Sequence, residues 1–171
     1  MPGAGSDQKL LTLDPARCTG CRMCEMACSL HHEQACGRSM SRIKVVKFEQ
    51  EGIDMPVLCQ HCASAPCVLV CPTAALQRDQ LTGAVVLREH LCIGCRMCAI
   101  ACPFGAIGVD PRGERTAVLK CDLCDGDPQC VRFCETGALR FERRDQLGAS
   151  KRDAVVRLHA KADKNNPGAS R

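Results

Sequence analysis

Residues 92–103 read CIGCRMCAIACP, and residues 18–29 repeat the pattern as CTGCRMCEMACS. In each copy three cysteines are spaced CxxCxxC and a fourth follows as CxxxC, so one tight loop presents three soft ligands and sends the fourth elsewhere. Two looser versions complete the set. Cys59, Cys62, Cys67 and Cys71 are spaced CxxCxxxxCxxxC, and Cys121, Cys124, Cys130 and Cys134 have a five-residue middle gap. The four runs absorb sixteen of the seventeen cysteines and leave Cys36 outside.

Cysteine at this density occurs in short disulfide-rich secreted scaffolds or in metal proteins. Residues 1–18 show neither a basic segment followed by an apolar core nor a twin-arginine pair, so reduced thiols in the cytoplasm are expected. Zinc takes four ligands from two CxxC pairs and gives no reason for a CxxxC cysteine in all four runs. Covalent haem needs CxxCH, which is absent. A 4Fe-4S cluster fits each run, because three thiolates come from the loop and the fourth cysteine of a ferredoxin run ligates the other cluster of a pair. Four runs then make four clusters.

The rest of the composition agrees. The 171 residues contain no Trp, no Tyr and four Phe, so the aromatic area that normally fills a core is missing and cluster and ligand atoms must replace it. The formal charge of +4 counts thiols as neutral. Each oxidised cluster with its four thiolates brings about −2, so the loaded protein stands near about −4. That sign argues against nucleic-acid binding. No apolar run approaches the roughly 20 residues that cross a bilayer, so direct membrane insertion is not expected.

The segments between runs predict an α+β fold of small hairpins and short helices around four clusters, with a C-terminal tail. Residues 42–48 (RIKVVKF) alternate as a half-buried strand does. Residues 75–78 and 84–88 flank DQLTG as one hairpin, and 107–110 and 116–120 flank Pro111, Arg112 and Gly113 as another. Short helices are predicted at 22–30 and 96–101. The polyferredoxin domain spans 10–142. Residues 143–171 form a cysteine-free basic tail, where Ser150 and Asp153 have capping-box spacing and Val155, Leu158 and Ala162 share a helical face. A docking helix and a solvated extension are both open there.

Beyond these spacings, the compact runs, the middle run CQHCASAPCVLVCPTAAL and the last run KCDLCDGDPQCVRFCETGALRF resemble the four-cluster ferredoxin-type subunits of molybdenum and tungsten oxidoreductases. That group includes iron-sulfur subunits of dimethyl sulfoxide reductase and formate dehydrogenase, ferredoxin-like partners of carbon monoxide dehydrogenase and hydrogenases, and small subunits of some aldehyde oxidoreductases. The resemblance covers about residues 10–142 and implies two nested bacterial-ferredoxin-like modules, runs one and four forming the outer and runs two and three the inner. It assigns Cys18, Cys21, Cys24 and Cys134 to one cluster and Cys28, Cys121, Cys124 and Cys130 to its neighbour. Cys59, Cys62, Cys67 and Cys102 would hold the third, and Cys71, Cys92, Cys95 and Cys98 the fourth. Pro72 and Pro103 follow the inner runs, whereas Ser29 and Glu135 follow the outer ones. Spacing alone leaves sequential pairing open.

No general-base constellation is visible, so no catalysis is expected of the chain itself. The resemblance implies an electron-transfer subunit in a hetero-oligomer with a catalytic oxidoreductase subunit containing tungsten or molybdenum, an aldehyde oxidoreductase leading. Carbon monoxide dehydrogenase, formate dehydrogenase and hydrogenase are alternatives, and a flavin or ferredoxin protein is a further redox partner. A zinc-stabilised binding module, and an enzyme with an open iron, are readings of other classes. The second needs a run short of a ligand, and none is. Cys36 reads as a free thiol. His31 and His32 read as helix-end residues, or as neighbours of a partner or a cluster. Met23 and Met97 read as packing against sulfide, and Arg22 and Arg96 as cations that raise a cluster's potential.

Overall fold

The computed structural model describes residues 8–110, 118–143, 146–148 and 152. The Pro111–Arg112–Gly113 turn and nearly all of the predicted tail helix lie outside the described residues. No described helix is long and apolar enough to cross a membrane.

Among the described residues eight short strands form four separate two-stranded antiparallel sheets, and four α-helices sit beside them. In chain order these are β1 (Lys9–Leu13), α1 (Met23–Glu33), β2 (Lys44–Phe48), β3 (Ile53–Val57), α2 (Pro66–Leu69), β4 (Leu76–Arg78) and β5 (Val85–Leu87). There follow α3 (Met97–Ile100), β6 (Gly108–Val109), β7 (Val118–Leu119), α4 (Gln129–Arg132) and β8 (Leu139–Arg143). This is a small α+β, ferredoxin-like architecture.

The longest-range pairing is β1 with β8, in register from Lys9 opposite Arg143 to Leu13 opposite Leu139. It brings the stretch before run one against the stretch after run four. Neither strand touches a cysteine run in sequence, although Leu139 to Glu142 alternate apolar and charged residues. The other sheets are local: β2 pairs with β3, β4 with β5 and β6 with β7. Residues 42–48 thus become a strand beginning at Lys44, and Arg42 is left free to face run one.

Helix α1 begins after Arg22 in a left-handed conformation (φ 63°) and runs to Glu33, three residues past the predicted end. Cys24, Ala27 and Cys28 recur at helical spacing on its buried face. Buried Glu25 holds the helix to β2: its carboxylate accepts the Val45 N–H at 2.9 Å and Arg38 Nε–H at 3.2 Å. Leaving that Val45 donor unpaired costs roughly 1–3 kcal/mol. At the other end Gln34, also left-handed, returns its N–H to the Leu30 carbonyl at 3.0 Å.

Apolar packing divides in two. Leu11, Cys24, Cys28, Ile43, Val45, Leu58, Ala84, Leu123, Cys130 and Leu139 form one cluster, drawing on both ends of the described chain. Ala65, Leu76, Val85, Cys98, Ile107 and Val118 form the other, drawing on the middle. No buried aromatic ring appears in either; thiols and small aliphatic groups take that place.

Candidate metal centres

The loop that carries three thiols is shaped by backbone that ordinary residues avoid. In CTGCRMC, Gly20 has φ +64° and Arg22 φ 63°; in CIGCRMC, Gly94 has φ +70° and Arg96 φ 62°. A Cβ at Gly20 would lie 2.3 Å from Asp54 Cγ, so both its conformation and its space exclude a side chain. Such alternation of turn conformations aims successive N–H groups into a concavity that suits anionic ligands. Short α1 and α3 then start immediately after the loop and carry Cys24 and Cys98 inward; both are buried.

The run cysteines converge in sets that mix distant parts of the chain. Cys28 lines one small cavity with Cys121, Cys124, Cys130 and Cys59. A second is lined by Cys71, Cys92, Cys95 and Cys98. A third is lined by Cys59, Cys62, Cys67 and Cys102. Cys24 interacts electrostatically with both Cys21 and Cys134, which places run four beside the loop of run one. All seventeen cysteines are free thiols. Among the run cysteines only Cys21 and Cys95 are exposed.

Burial sets the acidity of these thiols. It pushes Cys24 and Cys121 up to about 12 and Cys124 up to about 11, moves Cys130 upward too, and raises Cys67 and Cys98. Such thiols keep their protons until a cation replaces them, so ligation there must expel protons. Cys71 and Cys134 differ. Burial pushes them up as well, but hydrogen bonds win and hold both below the ordinary thiol value. Ala75 N–H donates to Cys71 Sγ at 3.3 Å and Leu139 N–H to Cys134 Sγ at 3.4 Å, and Thr73 and Thr136 hydroxyls lie 3.7 Å from the same two sulfurs. The sequence signal is the repeat CPTAAL at 71–76 and CETGAL at 134–139, which cysteine counting passed over.

Other polar groups reach the sulfurs. Arg42 N–H donates to Cys28 Sγ at 3.3 Å. His32, in the last turn of α1, places Nε2 3.6 Å from Cys124 Sγ and 3.4 Å from Asp122 Oδ1. Its pKa is lowered, chiefly by burial, with Asp122 opposing. His32 thus lies at the helix end beside a run cysteine, and His31 stacks edge-on against it at 4.7 Å. His61 is buried, and desolvation followed by the charges of Lys120 and Arg78 pushes it down to about 3. Neutral at Nδ1, it accepts the Val85 N–H at 2.9 Å. Met23 and Met97 are 42% and 46% exposed. Arg22, inside the loop of run one, keeps its Nε buried without a hydrogen-bond partner.

Free, convergent thiols around cavities, four of them buried and most of the rest half-buried, with N–H groups aimed at sulfur, fit iron-sulfur ligation and not disulfides. The 4Fe-4S dicluster domain model matches residues 50–144, and a 4Fe-4S binding domain model matches residues 15–30. The chain belongs to the 4Fe-4S dicluster domain family. This dicluster-family protein is 45% identical to the polyferredoxin-like subunit of an aliphatic sulfonate oxidoreductase of Pyrococcus furiosus, over 72% of this chain and 70% of that protein. It is 38% identical to formate hydrogenlyase subunit 2 of Escherichia coli, over 84% of this chain and 87% of the relative. It is 35% identical to the E. coli electron transport protein HydN, over 84% and 95%. The protein is thus an iron-sulfur electron-transfer protein carrying multiple 4Fe-4S clusters, four by its complement of cysteine runs.

Cys36 stands apart from every set and is exposed. Replacing it by Ser is expected to leave iron content and visible absorbance unchanged, as measured on anaerobically purified protein. Loss of about four irons would make it a ligand.

Proposed function

We propose that this protein is the electron-transfer subunit of a hetero-oligomeric oxidoreductase, with its ligands arranged as two nested modules. Cys18, Cys21, Cys24 and Cys134 hold one cluster and Cys28, Cys121, Cys124 and Cys130 the next. Cys59, Cys62, Cys67 and Cys102 hold the third, and Cys71, Cys92, Cys95 and Cys98 the fourth. The observation that carries this reading is the mixing of runs: run one meets three thiols of run four around one cavity, which Cys59 of run two also lines, and runs two and three meet around another. The β1–β8 pairing supports the outer module.

When bound, each cluster supplies a one-electron couple, in a class whose potentials span about −700 to +450 mV. The chain's own residues order the path. Cys24 neighbours Cys130, Cys121 neighbours Cys59 and Cys67 neighbours Cys98, which joins the four sets in a single line. Cys21 and Cys95, the exposed thiols, belong to the two terminal sets and mark where electrons enter and leave. Substrate chemistry belongs to a partner.

For that partner, a tungsten- or molybdenum-containing catalytic subunit acting on a small organic substrate is our reading, with aldehyde oxidation the leading case. The similarity to a subunit of an oxidoreductase named for aliphatic sulfonate supports a small organic substrate. Similarity to formate hydrogenlyase subunit 2 favours a second reading, a formate dehydrogenase or hydrogenase partner. The far end then serves a flavin or ferredoxin protein. Anaerobic purification of the natural complex tests both. About 16 iron and 16 acid-labile sulfide per chain are expected, with a catalytic subunit in the same peak. Stoichiometric zinc with little iron would overturn the electron-transfer reading, and a subunit without tungsten or molybdenum would favour the hydrogenase one.

A further inference from the structure

Lys120 immediately precedes Cys121 and is 4% exposed, the one Lys or Arg that is buried as a whole residue among those described. A buried ammonium is expensive unless its donors and its charge are both answered. Its donors are. Lys120 Nζ donates to the Val85 carbonyl of β5, to the Cys121 carbonyl at 2.9 Å and to Cys59 Sγ at 3.4 Å. Three N–H groups meet three acceptors, which is the full capacity of –NH₃⁺.

No carboxylate of the described residues pairs with that charge, although Asp79, Glu89, Asp122 and Asp125 line an open cleft together with Lys120. Asp122 is close in sequence, but its Oδ1 accepts the Cys124 N–H at 2.9 Å and lies 3.4 Å from His32 Nε2. His61, on the other side of Val85, is neutral. The sulfur that meets the ammonium is that of Cys59 of run two, with Cys121 of run four next along the chain. These two cysteines interact across the seam between the two apolar clusters of the fold, Cys59 and Cys121 lining one cavity together.

We propose that Lys120 is a fixed cation between the two middle clusters, positioned to raise the reduction potentials of the cluster held with Cys59 and of the one held with Cys121 above the values they would have without it. This rests on the ligand assignment given above. Two adjacent iron-sulfur centres are each net negative with their thiolates, and adding one electron to either increases the repulsion between them. A cation in low-dielectric surroundings, hydrogen-bonded to a ligand sulfur, offsets that repulsion more strongly than a solvated one does. Because Lys120 meets Cys59 Sγ directly and reaches the other set only through the backbone of Cys121, the Cys59 cluster shifts more. The geometry makes Lys120 a positioning residue for electron transfer across the seam, where the path passes from one half of the fold to the other.

The test compares wild type, Lys120→Met and Lys120→Arg as anaerobically purified holoproteins, by iron content and by potentiometric titration followed by EPR. Lys120→Met keeps the length of the side chain without its charge. With iron retained, it is expected to shift two of the four one-electron equilibria tenfold or more toward the oxidised form, about 59 mV each for tenfold, while the other two stay in place. Lys120→Arg restores most of the shift. Four unchanged potentials, or four that shift equally, in iron-replete Lys120→Met would overturn the role of Lys120 and leave the cluster assignment standing; wild-type iron well short of sixteen would overturn the assignment itself. A second measurement needs no variant. In reduced wild-type protein labelled with ¹⁵N-lysine, pulsed EPR should detect a nitrogen coupled to a cluster, since Lys120 is the lysine whose Nζ contacts a ligand sulfur among the described residues. Absence of that coupling would overturn the proposal.

Discussion

Stripping iron from the protein with a chelator under reducing conditions is expected to unfold nearly all of residues 10–142, with visible absorbance and far-UV circular dichroism lost together. The reason lies in how little the polypeptide can hold by itself. Helices α2, α3 and α4 have four residues each, and isolated helices under about 12–15 residues are marginal in water. Every sheet has two strands, an arrangement that is at best marginally stable alone. The buried side chains are chiefly Leu, Val, Ala and Cys, and the exposed ones include Leu81 at 93%, Leu69 at 78% and Ile100 at 77%. Metal ligation replaces the missing apolar area, so the free energy of binding is largely free energy of folding. The separated apolar clusters also meet around thiols, so protonated, unligated cysteines would leave cavities at both centres. Calorimetry gives the check. A cooperative thermal transition surviving in the iron-free, reduced chain would show that the backbone scaffold is self-sufficient.

The metal chemistry was legible in the sequence because cysteine spacing is a local property. CxxCxxC fixes which thiols share a loop whatever the rest of the chain does, and the runs and cofactor class follow from counting. The hairpin at 75–88 was legible for a similar reason, its turn residues Asp79 and Gly83 lying between two short apolar stretches; Asp79 indeed accepts the Thr82 N–H at 2.7 Å. Strands β1 and β8 were not. Their pairing spans about the whole described chain, and neither LLTL nor LRFER carries a pattern that names its partner. Lys120, Arg42 and His61 were missed as functional neighbours because each looks like an ordinary polar residue beside a strand or inside a run. Only the tertiary meeting of β5 with runs two and four puts the ammonium against a sulfur. Arg42 had been read as the start of a strand, whereas the strand starts at Lys44 and the Arg42 N–H is spent on Cys28.

Replacing Cys28 by Ala is expected to remove one cluster and to lower iron by about four per chain, and the identity of that cluster decides between nested and sequential pairing. Cys28 is buried on α1, its Sγ already accepts the Arg42 N–H, and it lines the cavity that Cys121, Cys124 and Cys130 share. Cys124 and Cys130 both interact electrostatically with it. A single variant reports only that a cluster is gone, so the informative measurement is a pair of double variants read as a cycle. Cys28→Ala with Cys124→Ala takes two ligands from one cluster under nested pairing and should lose about four irons, no more than either single change. Cys28→Ala with Cys62→Ala takes one ligand from each of two clusters and should lose about eight. Sequential pairing, with Cys28 joined to Cys59, Cys62 and Cys67, reverses the two results. The two doubles differ by about four irons per chain, far outside the error of an iron assay, and the difference does not depend on any cluster's potential. Losses of about eight in the first double and about four in the second would undo the outer module, and with it the line of four sets on which electron passage from Cys21 to Cys95 depends.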